Sequence, residues 1–440
     1  MNQSKRTCSP MKKTRIIQNA KWIIGCKILQ SLLQLVVGML SARYLGPSNY
    51  GLISYAASVV AFMVPVMQLG MRSTLVQEYV VNLKNEGQIL GTSLVLNLVS
   101  GAACVVAVTS FAAVSSMGDQ VTVLVCSFYS LQLIFQALEM LQCWFQAKLL
   151  SKYSSLAMLG GYIILSAYKI FLLATRKSVY WFAVSHSVEF LVIGIAMIVM
   201  YKKLGGQRLS FSWSLAGEMF SRSKYYILAT MMVTVFQNTD HVMLKLMVGD
   251  AENGFYTAAV TCVSATNFVY LAIVDSARPS VLQSRKTSQK DFDRNISRLY
   301  SIITYLSLAQ TIGFLLLGEY VIRLLYGRDY LQALPVLRIL VLYVAFSCMG
   351  IVRNVWILGE EKHSVLWRIN LTGALGNVIL NAIMIPLWGA CGAAFASVLT
   401  QIITNFALGF IMPSIRPNNQ LLLKGLNPSL LWDMLKQLRE

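Results

Sequence analysis

The stretch Gly249-Asp250-Ala251-Glu252-Asn253-Gly254-Phe255-Tyr256-Thr257-Ala258-Ala259 lies just past the middle of the chain, between two long apolar segments. An earlier stretch echoes it: Gly46-Pro47-Ser48-Asn49-Tyr50-Gly51, then Leu52, Ile53, Ser54, Tyr55, Ala56 and Ala57. In both places two glycines sit five residues apart, and small and aromatic residues follow at similar offsets. Gly254 lies 203 residues after Gly51, close to half the chain. Each copy joins one apolar segment that ends to another that begins. Paired halves of this kind are typical of transporters that work by alternating access.

Working outward, composition fixes the class. The chain has 440 residues, 56% of them hydrophobic and 12% charged, with a mean hydropathy of +0.60. Soluble domains usually carry about 25% charged residues. Too few polar groups remain to cover a soluble surface of this size, so the chain reads as an integral membrane protein. The formal net charge of +19 sits mainly in short connectors between apolar runs. Membrane orientation requires that pattern, and it also attracts anionic lipid headgroups. A nucleic-acid partner is not expected.

The eight cysteines are spread singly, and His186, His241 and His363 are scattered. No metal site is proposed. No nucleophile and base share a telling spacing, no carboxylates pair as in glycoside hydrolysis, and no GxxxxGK[ST] loop is present. The chain therefore reads as neither an enzyme nor a self-contained ATP-driven pump, and no catalytic residue is named.

A spanning helix needs about 20 residues. Twelve candidates follow: 19–41, 50–73, 88–113, 119–143, 154–175, 179–201, 222–248, 252–282, 297–321, 332–357, 364–386 and 390–412. The expected fold is an all-α integral membrane protein, with about 12 transmembrane helices in two pseudo-symmetric six-helix lobes. The first lobe covers 1–201, a cytoplasmic linker 202–221, the second lobe 222–413 and a cytoplasmic tail 414–440. Counting Lys and Arg over the short loops places both ends in the cytoplasm. The basic amino terminus reads as a cytoplasmic tail rather than a cleaved signal. The second part of the linker reads as a surface amphipathic helix or a plain connector. Residues 430–439 read as a second such helix or a frayed tail.

Chemistry in such a chain should show at ionisable groups inside the spans, because a bare charge in hydrocarbon costs several kcal/mol. These are Lys27, Arg72, Lys169, Glu189, Asp240, Lys245, Asp275, Arg278, Arg353 and Arg368. Lys27, Gln30 and Gln34 share one helical face. That stripe lines a cavity or serves as interhelical glue. Arg72 lies near a span end, where an arginine suits a phosphate or pyrophosphate or simply reaches headgroups. Asp240, flanked by Gln237, Asn238 and His241, pairs with a basic residue such as Lys27 or exchanges a coupling cation or proton. Asp275 and Arg278 are spaced for a local ion pair, and Pro279 bends or ends the helix there. Arg353 is a cavity candidate, whereas Asn370, Asn377 and Asn381 fit interhelical packing better. Trp22, Trp181, Trp356, Trp367 and Trp388 sit near span ends, as an interfacial belt requires.

Three patches carry a family resemblance. The first is Ala42-Arg43-Tyr44-Leu45-Gly46-Pro47 with Tyr50-Gly51 and Gln68-Leu69-Gly70-Met71. The second is Asp240 with Gly249 and Gly254 through Ala259. The third is Asn377, Asn381, Ile385-Pro386-Leu387-Trp388-Gly389, then Gly392-Ala393-Ala394 and Thr400. With the span count, the chain resembles bacterial polysaccharide and O-antigen transporters, in the superfamily of multidrug extruders and the peptidoglycan-precursor flippase. The resemblance implies two six-helix lobes around a central cavity. It implies export of an undecaprenyl-pyrophosphate-linked oligosaccharide across the cytoplasmic membrane by alternating access. Basic cavity residues would meet the phosphate, a role that falls here to Lys27, Arg72 and Arg353, beside Gln30 and Gln34. Gly46, Pro47, Gly51, Gly249, Gly254, Pro386, Gly389 and Gly392 would be turns and packing points. Asp240 and His241 would serve coupling to Na+ or H+, with no other cofactor. Expected partners are the polyprenyl-linked glycan, membrane lipids, and the polysaccharide polymerase and chain-length machinery. Two alternatives stand: a cation-coupled multidrug antiporter of the same superfamily, and a non-transporting scaffold for envelope polysaccharide assembly.

Overall fold

The computed structural model describes residues 10–81, 85–362, 364–430 and 432, with side chains from Gly25 onward. The interfacial Trp22, the cysteine at 8, His363 and most of 430–439 lie outside the described side chains. Among the described residues every regular element is helical. Nine helices are long and apolar enough to cross a membrane. Two of these fold back on themselves at a glycine. In α1 (Pro10–Met67) the break is Gly46, at φ 72. In α14 (Ser364–Ile402) it is Gly389, at φ 55. Both conformations suit a residue without a Cβ. The long α9 (Trp213–Met247) supplies the remaining pass, so the described residues provide twelve.

The chain divides into two compact units. The first holds residues up to Tyr44 and Ala56–Met231. It contains α2 (Arg72–Val81), α3 (Glu86–Ser115), α7 (Ser151–Ala174) and α8 (Val179–Lys203). A further pass between α3 and α7 is interrupted: α4 (Gln120–Ser130), α5 (Gln132–Gln136), a 3-10 turn Ala137–Met140 and α6 (Leu141–Ala147). Its core gathers Trp144, Phe145, Tyr79 and Tyr201, with the Trp144 and Tyr201 rings edge to face at 4.8 Å.

The connector after α8 is extended and is held along α3. Gly87 and Gly91 provide the track: a Cβ on either would stand 2.3 Å from the carbonyl oxygen of Arg208 or Ser210. The Ser210 and Ser212 amides donate to the Gly87 carbonyl (3.3 Å) and Thr92 Oγ1 (3.1 Å). The linker is extended up to Ser212, and residues from Trp213 already belong to the 35-residue α9.

The second unit holds Leu45–Tyr55 and the chain from Met232 onward. It comprises the rest of α9, then α10 (Asp250–Ser264), α11 (Asn267–Thr287), α12 (Gln289–Leu325), α13 (Ala333–Gly359) and α14. A π turn (Ile403–Ala407), α15 (Leu408–Ile411) and α16 (Arg416–Gly425) close it. The 252–282 segment breaks at Ala265–Thr266, between α10 and α11, while Pro279 stays inside α11. Asp275 and Arg278 pair at 2.9 Å. In α16, Asn418 accepts from the Tyr300 hydroxyl at 2.9 Å.

The two echoed glycine stretches meet inside this unit. A Cβ on Gly51 would stand 1.9 Å from the Asp250 carbonyl oxygen, and one on Gly254 would stand 2.0 Å from the Pro47 carbonyl oxygen. Pro47 and Asp250 hold the same place in the two copies, so the contact is reciprocal. Equivalent hydroxyls close it: Thr257 Oγ1 donates to Ser54 Oγ at 2.8 Å, across 203 residues. Asn253 Nδ2 adds a bond to the Gly51 carbonyl at 2.7 Å. Gly392 makes a comparable approach, with its missing Cβ 2.0 Å from the Met384 carbonyl oxygen.

Alanine at Gly51 or Gly254 should force the copies apart, at a cost of about 1–3 kcal/mol for overpacking. Gly38 has open space around it and serves as the control. The melting temperature of the purified protein in detergent should fall for Gly51→Ala and Gly254→Ala and stay unchanged for Gly38→Ala.

Candidate functional site

In the second unit, α9 carries Gln237, Asp240 and His241. Asp240 is buried at 6% exposure, and three neutral donors reach its carboxylate. Tyr256 Oη and Ser397 Oγ each donate to Oδ2 at 2.5 Å, and Asn381 Nδ2 donates to Oδ1. These donors come from α10 and from both arms of α14, on either side of the Gly389 fold. Asn381 Nδ2 also reaches Asn377 Oδ1 at 3.1 Å. Asn381 Oδ1 is then left buried and without a partner. Of the amide pair expected to fit interhelical packing, Asn381 thus also reaches the carboxylate, with Asn377 behind it.

His241 turns to the contact between the two copies. Its Nδ1 lies 2.9 Å from Asn253 Oδ1, and 3.3 Å from Ser54 Oγ and Thr257 Oγ1. Asn253 uses its amide nitrogen on the Gly51 carbonyl, so its oxygen faces the ring. The bond therefore assigns the proton to His241 Nδ1. Lys245, one turn on, is ion-paired with Asp250.

Asp240, His241, Gln237 and Asn377 line a cavity of about 320 Å³. A second cavity of about 220 Å³ is lined by Arg353, Asn354, Asn370, Gln401 and Thr404. The two share Phe236, Gln237, Tyr343 and Ser347, so they adjoin.

Arg353 is buried, at 6% exposure. Its Nη1 donates to the Thr404 carbonyl (2.8 Å) and Asn405 Oδ1 (2.7 Å), and its Nη2 to Asn354 Oδ1 (3.2 Å). These acceptors are neutral, and Nε has no partner. Thr404 and Asn405 belong to the π turn Ile403–Ala407, whose wider winding frees backbone groups from the regular ladder. Gly350 makes room for Asn405, since a Cβ there would stand 2.6 Å from its Oδ1.

The other basic candidates lie in the first unit. Arg72 opens α2 after Leu69 and Gly70, both at positive φ. It pairs with Glu139 at 3.4 Å and donates to Gln142 Oε1 at 2.8 Å, with its side chain 44% exposed. Glu139 itself is buried and also accepts from Gln136. On α1, Lys27 and Gln34 are exposed and Gln30 is buried between them. Asp240, His241 and Arg353 thus gather in one unit, whereas Lys27, Gln30, Gln34 and Arg72 belong to the other. Sequence reasoning left out Tyr256 and Ser397, because nothing in their spacing points across 16 or 157 residues to Asp240.

Comparison with known proteins agrees with this architecture. A family model described as polysaccharide biosynthesis protein matches residues 40–335. The chain is 21% identical over 399 residues to the capsular polysaccharide biosynthesis protein CapF of Staphylococcus aureus, covering 88% of this chain and 97% of that protein. Among solved structures, the lipid II flippase MurJ in an inward closed conformation matches with a TM-score of 0.70 at 15% identity, over 94% of this chain and 92% of that one. An inward-facing multidrug resistance transporter of the MATE family matches with a TM-score of 0.63 at 15% identity, over 90% and 96%. Both likenesses are of fold. With the family match spanning well over half of the chain, the protein belongs to the polysaccharide biosynthesis protein family.

Proposed function

We propose that this protein carries an undecaprenyl-pyrophosphate-linked oligosaccharide from the cytoplasmic to the outer leaflet of a bacterial inner membrane, by alternating access. The observation that carries this reading is Arg353. It is a buried guanidinium whose named partners are all neutral, on the wall of a polar cavity inside apolar helices. Neutral acceptors hold the fork in place and leave its charge intact. A pyrophosphate needs such compensation in a medium of low dielectric. The polar stripe of Lys27, Gln30 and Gln34, with Arg72, supplies further donors for the phosphate and sugars. The lysines and arginines of the short loops favour both termini in the cytoplasm, with the polysaccharide polymerase and chain-length machinery as partners.

Coupling to a cation gradient falls to the Asp240 cluster. The donor set is oxygen only: the Asp240 carboxylate, the orphaned Asn381 Oδ1, Asn377 Oδ1 and Ser397 Oγ. Hard cations such as Na+ take oxygen ligands of this kind, and the same carboxylate also accepts a proton. A bound cation would supply the charge that binds Asp240 more tightly in one state than in the other. His241 keeps the carboxylate's helix tied to the contact between the two copies.

Deletion of the gene should cause lipid-linked glycan to build up on the cytoplasmic leaflet, read by leaflet-resolved analysis. Normal outward delivery, or loss of drug resistance alone, would sink the assignment and favour the antiporter. Arg353→Gln removes charge-assisted bonds worth about 1.5–3 kcal/mol. It should lower export about tenfold or more at an unchanged membrane level, and Lys27→Ala should impair export as well. Asp240→Asn keeps the side chain's size and removes the charge, with an amide nitrogen in place of one accepting oxygen. Export by this variant, measured in proteoliposomes, should no longer respond to an imposed Na+ or H+ gradient.

A further inference from the structure

The first unit holds a second buried ionisable cluster, which the function above does not use. Lys169 on α7 and His186 on α8 face each other across the hairpin, with Nζ 3.3 Å from Nε2. The other ring nitrogen, Nδ1, lies 3.6 Å from Glu189 Oε2, one turn further along α8. Glu189 is buried, at 5% side-chain exposure, and His186 is three-quarters buried.

The chemistry of the end groups fixes the middle one. An ammonium only donates and a carboxylate only accepts. With both ends charged, Nε2 must present its lone pair to Lys169, and Nδ1 must carry the proton toward Glu189. The ring between them is neutral, in a single tautomer. A neutral imidazole with an acid on one side and a base on the other is the arrangement of a proton relay. When Nε2 takes a proton from Lys169 Nζ and Nδ1 gives its own to Glu189 Oε2, the outer charges vanish together. Only N–H and O–H bonds change, and no further reactant is needed.

The surroundings of His186 and Glu189 come from several elements. From α4, the Tyr129 ring packs on His186 at 4.7 Å between centroids. From the 3-10 turn, Glu139 acts on Glu189 as a like charge and is itself held by Arg72. From α7, Tyr162 lies beside both Glu189 and Gln34. Gln34 belongs to the polar stripe on α1, so the Glu189 end of the array leads to the helix expected to meet substrate.

We propose that Lys169, His186 and Glu189 form a proton relay in the first unit, which takes up and releases a proton independently of Asp240. A proton placed on Glu189 removes one of two neighbouring negative charges and changes the partner offered to Tyr162. The α1 stripe then feels the protonation state of the array.

The test uses the full chain in lipid nanodiscs and needs no glycan, so its failure would leave the proposed transport function standing. Nitrogen NMR of labelled histidine, with the His186 signal identified by its loss in His186→Gln, should show the neutral Nδ1–H tautomer near neutral pH. Between about pH 5 and about pH 9, which brackets the range of a histidine switch, that signal should titrate, and Glu189→Gln should shift its midpoint. His186→Gln should lower proton uptake after a pH jump, read with a pH-sensitive dye, by the same amount in the wild-type and Asp240→Asn backgrounds. A His186 ring in the Nε2–H form, a signal fixed across the whole range, or proton uptake equal to wild type in His186→Gln would each overturn the relay.

Discussion

Hydrocarbon offers nothing with which to solvate an ion, so each charge within a span depends on the partners the fold brings to it. In the second unit Lys245 and Arg278 have ion-pair partners, but Asp240 and Arg353 meet this constraint in another way. Asp240 is satisfied by hydroxyls and an amide, and Arg353 by a carbonyl and two amides. Hydrogen bonds to neutral groups fix where a charge sits without cancelling it. Two adjoining cavities therefore keep walls of opposite sign, which an Asp–Arg ion pair would have erased. The breaks in regular helix, at Gly389 and in the π turn, are where the supporting groups come from.

The first unit solves the same problem by pairing. Arg72 with Glu139, Lys148 with Glu86, and the Lys169–His186–Glu189 array each place opposite formal charges within reach. The family's structural relatives share this overall fold. The balance of paired and unpaired charge is a property of this chain's own side chains.

Much of the architecture was legible in the sequence, because hydropathy and helix length follow from composition alone. The turn at Gly46 and the fold at Gly389 were visible as a glycine next to Pro47 and a glycine three residues after Pro386. The break at Ala265–Thr266 was not, since neither residue disfavours a helix strongly, and Pro279, which does, lies within α11. Periodicity reports which residues share a face, but not what that face meets. Asn377 and Asn381 could thus be seen as a stripe without their carboxylate, and His186 could be dismissed as isolated with Glu189 three residues away. The repeat of 203 residues was legible as an offset. That its two copies press against each other is a fact of three-dimensional packing, which no spacing encodes.

That packing has a bearing on how the molecule was built and how it can be cut. Leu45–Tyr55 belongs to the second unit, although the chain on either side of it belongs to the first. The backbone therefore passes from one body to the other three times rather than once. A chain severed in its central connector would yield a carboxyl-terminal fragment lacking eleven of its own residues, with the carbonyls and glycine that face Pro47 and Gly51 laid bare. Each half of the sequence thus lends a segment to the other body: Leu45–Tyr55 in one direction, and the start of α9 up to Met231 in the other.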